Sequence, residues 1–244
     1  MILDSASFVF EPPVSLSRAR RVLIKPFASS GNPYPHSVSA GLLKKIIDGI
    51  RSVSDADIMI LEGSMCDKSM AQIYKDLKYT FPRIILKDVK DVTLVEVDNP
   101  LLKPLLMPTF QIPNIILSSD YLISVVPLRV IGGQGYLTIS NMMSLVCGTK
   151  QNADSNLDWE QLLVHEKAKI LTDLYYTIPS FDLGIVEATE KLVCKNESAK
   201  GESTHYGRIF MGEPFQVDRE VVQTLGIKSD YLKQIEESRA DLDL

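Results

Sequence analysis

Two stretches decide the fold: Arg21-Val22-Leu23-Ile24-Lys25-Pro26, and Asp57-Ile58-Met59-Ile60-Leu61-Glu62 followed by Gly63-Ser64. Each is a short apolar run closed by turn-forming residues, the signature of a buried strand. Between them lies a turn-rich segment, Phe27–His36, with Gly31, Pro33 and Pro35. Ser37 or Ser39 then caps a helix whose apolar residues are Val38, Leu42, Leu43, Ile46, Ile47 and Ile50, one stripe on one face. A second helix is expected around Lys68–Leu77. Strand, helix, strand, helix in this order describes βαβ units, whose crossovers require parallel strands with helices on the faces. In such sheets functional groups collect beyond the carboxyl ends of the strands. Lys25 and Glu62 both stand there.

Further along, Thr93–Val97 reads as a strand, and the proline-spaced Leu101–Leu117 as an extended excursion or edge hairpin. Asp120–Val126 is a buried strand that runs through Pro127 into Gly132-Gly133-Gln134-Gly135, with a short helix from Asn141. Gln151–Asp158 is a polar loop and Trp159–Tyr175 a helix. Asp182–Ala188 is a strand, Lys191–Tyr206 an exposed loop, and Arg208–Met211 a last strand. Helices follow near Phe215–Leu225 and Ser229–Ser238. The fold class is therefore α/β, a mostly parallel sheet flanked by helices. Its 244 residues make either one domain over 1–244 or two small lobes, 1–150 and 151–244, sharing one cleft.

A net charge of −5 leaves no basic footprint for nucleic acid and no polybasic stretch for an anionic membrane. The apolar stretch Leu101–Leu128 is broken by Pro104, Pro108, Pro113 and Asp120, which argues against a membrane span. Cys66, Cys147 and Cys194 are odd in number and have no Cys-x-x-Cys spacing. They fit a reducing, cytoplasmic setting and offer no ordinary iron–sulfur or zinc ligand set. His165-Glu166 lacks the second histidine of a zincin helix, because Lys169 stands in its place. The glycines at 132–135 lack the third glycine of a dinucleotide loop. His36 and His205 read as solvated loop histidines.

Several strings in order resemble the bacterial and archaeal domain of unknown function 362 family, which often accompanies ferredoxin-type iron–sulfur modules. They are Val22-Leu23-Ile24-Lys25-Pro26, Glu62-Gly63-Ser64, Ser119-Asp120 leading to Val126-Pro127, and Thr138-x-x-Asn141-Met142-Met143. Lys150, Asp173-Leu174 and Gly212-x-Pro214-x-x-Val217-Asp218 complete the set. The resemblance spans roughly Val22 to Gly226. The chain also departs from it. Phe27 replaces an asparagine, and Leu128-Arg129-Val130 replaces a Lys-x-Lys followed by histidine. Ser140 replaces a lysine, Ser144 a glycine and Glu187 an aspartate.

Strand-end and loop groups suggest one site. Lys25 and Arg129 would clamp an anion, with Asn141 and Lys150 as further ligand-binding residues. Glu62 and Asp218 would act as acid–base or cation-holding carboxylates. In that role Lys25 would add little to stability. The competing account makes Lys25 a snorkelling strand-end lysine, Arg129 half of a surface ion pair and Asp218 a helix-start residue. The expected function is binding of, or action on, a small phosphate- or carboxylate-bearing molecule, with no cofactor specified. The alternatives are a non-catalytic binding or assembly subunit, which the lost lysine and histidine positions favour, or a partner of an iron–sulfur electron-transfer protein.

Overall fold

The computed structural model describes residues 1–28, 31–64, 66, 68–147, 162, 165–179, 181–196 and 200–242. Eight strands among these form one sheet. In chain order they are β1 (Ile2–Asp4), β2 (Arg21–Pro26), β3 (Asp57–Glu62), β4 (Ile84–Asp88), β7 (Tyr121–Ile131), β8 (Gln134–Gly135), β9 (Leu183–Cys194) and β10 (Glu202–Gly212). Across the sheet the order is β1-β10-β9-β7-β2-β3-β4, with β8 hairpinned onto β7. The run from β9 to β4 is parallel, and β10 and β1 close one edge antiparallel. β5 (Leu94–Asp98) and β6 (Thr109–Pro113) form a separate antiparallel pair. This is the α/β class expected, a mostly parallel sheet with helices on both faces.

The two faces follow from the period of two along each strand. Val22, Ile24, Ile58, Ile60, Ile123, Val125 and Ile185 pack under α1 (Ala40–Val53) and α2 (Met70–Asp76). Leu23, Leu61 and Leu122 face the other way. They pack with α4 (Met143–Cys147), α5 (Lys167–Thr177), Phe215 of α6 (Pro214–Leu225), and Tyr231, Leu232 and Ile235 of α7 (Asp230–Leu242). The remaining helix, α3 (Asn114–Leu117), is a single turn after β6. α1 starts at Ser39, whose hydroxyl accepts the Leu42 N–H. α6 ends at Gly226, held at φ 61° where a residue with a side chain would be strained.

Sequence and structure part in several places. Ile2–Asp4 and Ile84–Asp88 are edge strands that the sequence pattern does not reveal: the first has three residues, and the alternation of the second is short and cut by Lys87. Lys191–Tyr206 is no loop: β9 and β10 run on as a hairpin through Cys194 and Glu202. Leu192 and Cys194 alternate inward there, while the polar Glu202–His205 faces solvent and masks the pattern. Gly132-Gly133 forms the two-residue turn between β7 and β8, both residues at positive φ, as a tight hairpin requires. Gln151–Asp158 and Trp159, at the start of the expected helix, lie outside the described residues.

Gly49 lies inside α1, where alanine would ordinarily stabilise by about 1 kcal/mol. Here an added Cβ would lie 2.6 Å from the Phe10 carbonyl oxygen. Gly49→Ala is therefore expected to destabilise by about 1–3 kcal/mol, the usual cost of overpacking. Urea denaturation measures this, and a gain in stability would show that the N-terminal segment yields to the methyl group.

Candidate functional site

The chain turns toward opposite sides of the sheet after β2 and β7, which are neighbours, so their carboxyl ends bound the crevice at which α/β sheets bind ligands. On one face that crevice is filled. The single turn Ser140–Met142 and α4 lie across it, and Asn141 Nδ2 donates to Lys25 O at 2.8 Å and to Ser124 Oγ at 3.1 Å. Asn141 Oδ1 accepts from Lys25 Nζ at 2.8 Å.

Lys25 and Glu62 form an ion pair of 2.8 Å with neither side chain exposed. Lys25 Nζ also donates to Pro26 O at 3.3 Å, so its three donors are all used. Glu62 Oε1 accepts from Gly63 N–H at 2.8 Å and Ser144 Oγ at 2.5 Å, and Oε2 from Ala28 N–H at 2.9 Å. Burial pushes the Lys25 ammonium below its ordinary pKa, and Glu62 pulls it back up. Three acceptors around Nζ define the charged form. A Cβ on Gly63 would lie 2.4 Å from the Ser144 carbonyl oxygen, so α4 can close over β3 only because glycine stands there.

The polar chain continues from Asn141 through Ser124, whose hydroxyl donates to Thr138 O at 2.8 Å. Thr138 leads to Asp218, which is fully buried. Asp218 Oδ1 accepts from Thr138 N–H and Oγ1 at 2.9 and 2.6 Å, and Oδ2 from Ile139 N–H and Tyr231 OH at 3.0 and 2.9 Å. Burial raises its pKa to about 6 against these donors. Other boundary acids hold backbone in the same way. Asp173 of α5 accepts the N–H groups of Leu105, Leu106 and Met107. Asp120 accepts those of Arg20 and Arg21, and Asp182 that of Leu122.

On the α1 face of the same crevice the arrangement is more open. The guanidinium carbon of Arg129 on β7 lies over the Phe27 ring, 3.9 Å from its centroid. His36 is close enough that, after burial, the Arg129 cation is the second influence holding its pKa down. Phe27, His36 and Arg129 are each half-buried. Ser37, beside His36, is buried with a hydroxyl that finds no hydrogen-bond partner among the described residues. Glu187 of β9, on the same face, is bonded to the start of α1: Oε2 accepts Ser39 N–H at 2.8 Å, and Oε1 is paired with the Ser39 hydroxyl. Beyond Glu187, Ala188, Thr189 and Glu190 have no β7 partner, and this bulge docks on the loop where Glu190 N–H donates to the Tyr34 hydroxyl at 2.6 Å.

Of the residues expected to form the site, Lys25, Glu62, Asn141 and Asp218 thus belong to one buried hydrogen-bonded chain, and Arg129 lies across the sheet from it. Lys150 lies outside the described residues. The sequence reading did not place Phe27, Ser37, Ser39, His36 and Glu187 together. An acid interrupting the apolar run Leu183–Ala188 was the legible signal for the last.

A mostly parallel α/β sheet with its polar residues gathered at the strand carboxyl ends defines the class. Within it, this chain belongs to the domain of unknown function 362 family, whose sequence profile matches residues 22–223. No curated protein matches the chain. Among the described residues no helix is long and apolar enough to cross a membrane.

Removing one partner of a buried ion pair strands the other charge. Lys25→Met is therefore expected to destabilise the protein by roughly 3–5 kcal/mol, contrary to the small contribution expected of a ligand-serving lysine. Adding Glu62→Gln should restore part of that loss in a double-mutant cycle followed by urea denaturation. Unchanged stability in Lys25→Met would show that the pair does not lock the sheet.

Proposed function

We propose that this protein binds a small phosphate- or carboxylate-bearing molecule on the α1 face, at the carboxyl ends of β2, β7 and β9, without acid–base chemistry by Glu62 or Asp218. The observation that carries this reading is Arg129, a planar cation held on Phe27 at the switch point of the sheet beside His36. A guanidinium presents paired N–H donors that match the oxygens of phosphate and carboxylate. Contact with the Phe27 ring restrains it, so less side-chain freedom is lost on binding. The Ser37 hydroxyl offers an additional buried partner for a ligand oxygen or a bound water.

The sealed state of the two carboxylates supports a binding rather than a catalytic role. Glu62 and Asp218 each accept four hydrogen bonds and have no exposure. A general base must reach the proton it takes, directly or through one water. These two instead fasten the 138–144 segment across the strand ends.

Isothermal titration with inorganic phosphate, sulfate and citrate tests the reading. Wild-type protein is expected to bind at least one of these, and Arg129→Met to bind it at least about ten-fold more weakly, the least a hydrogen bond to a charged group contributes. No binding by the wild type, or equal binding by Arg129→Met, would remove the basis of this assignment.

A further inference from the structure

Glu187 and Arg129 share a face of the sheet. Glu187 is the register partner of Pro127, and Arg129 is two residues further along β7, about 7 Å on. The residues on either side keep to that face: Ile123 and Val125 of β7 and Leu183 and Ile185 of β9 all belong to the core beneath α1. A carboxylate thus lies on the same face of the sheet as Arg129, bonded to the N-cap of α1 through the Ser39 N–H and hydroxyl.

Resting on the reading of this ledge as an anion site, we propose that anion capture is proton-linked through Glu187: the ligand binds tightly while Glu187 carries its proton and loosely once Glu187 is ionised. Two effects act in the same direction. An ionised Glu187 repels an anion held on the same face of the sheet, and its burial leaves that charge weakly screened. It also neutralises the positive end of the α1 dipole, which otherwise adds to Arg129. The contact with Ser39 serves both states, because a hydroxyl and a carboxyl oxygen can exchange donor and acceptor roles.

The surroundings suit such a group. Burial raises the Glu187 pKa to about 7, while the Ser39 hydroxyl and N–H and then Lys45 of α1 pull it down. Tyr34 of the β2–α1 loop and Tyr79 beyond α2 both lie within its field, and the Tyr79 hydroxyl donates to Val38 O at 2.6 Å. On β10 its partner is Ile209, and the adjacent Arg208 faces Asp4 at 3.9 Å. Glu190 of its own strand is turned to Ser203. His36 is a second titratable group on the ledge, held below its ordinary 6.5 by burial and Arg129. Protonation of His36 also favours an anion, so the two contributions must be separated.

Sulfate is the probe, since its charge is constant across the range. Wild-type protein is expected to bind it about ten-fold more tightly at pH 6 than at pH 8. Glu187→Gln should bind at pH 8 nearly as well as the wild type does at pH 6, and His36→Gln in that background should remove the remaining slope. Without any substitution, the Glu187 side-chain carboxyl carbon, followed by NMR, should titrate near neutrality and move to higher pH in saturating sulfate, as reciprocal linkage requires. A full wild-type slope in Glu187→Gln, or a Glu187 midpoint that sulfate does not move, overturns the proton linkage while leaving the ledge intact. No sulfate binding at either pH overturns this inference, and undiminished binding by Arg129→Met sinks the ledge reading with it.

Discussion

Two opposite charges with no exposure must find every hydrogen bond they need inside the protein, and the Lys25–Glu62 pair imposes that demand on three separate parts of the chain. Lys25 requires Asn141, Glu62 requires Ser144 and the Ala28 and Gly63 amides, and Asn141 in turn requires the ends of β2 and β7. Buried ion pairs are weak sources of net stability, because desolvation offsets much of the attraction. Their effect here is on uniqueness. A sheet assembled with β2 and β3 one residue out of register, or with the 138–144 segment displaced, would leave a charge unpaired in the core. The filled side of the crevice is a consequence of that demand.

The parallel sheet was legible because its central strands are short apolar runs with clear stops, and because α1 carries an uninterrupted apolar stripe. The edges were not. β4 and the outer half of the β9–β10 hairpin are half-solvated, so their polar residues dilute the alternation. Among the candidate residues, Lys25, Glu62, Asn141 and Asp218 were found as strand-end and loop polar groups, and the structure links them. Sequence position gave no means of telling whether such groups face a ligand or one another. That depends on the packing of residues 138–144 across strand ends more than a hundred positions earlier.

The departures from the family pattern also become intelligible once placed. Phe27, Arg129 and Glu187, three positions where the resemblance leads one to expect other residues, lie on the α1 face, the first two as a cation over a ring and the third against Ser39. Ser144, in place of a glycine, supplies the hydroxyl that Glu62 accepts. Of these changes, Ser144 completes the closed polar centre, while Phe27, Arg129 and Glu187 share the α1 face. A loss of lysines scattered over the surface would have left no such pattern.

The buried acids have a consequence for how the molecule opens. Ala28, Gly63, Leu105, Leu106, Met107, Thr138 and Ile139 give their amide hydrogens to Glu62, Asp173 or Asp218, and all seven lie outside the strands and helices. Loop amides normally exchange with solvent through small local fluctuations. Here each acceptor is anchored in a different element, so releasing any one of these hydrogens means separating packed parts of the core. The connecting segments should therefore report the same slow, cooperative opening in hydrogen exchange as the central strands they join.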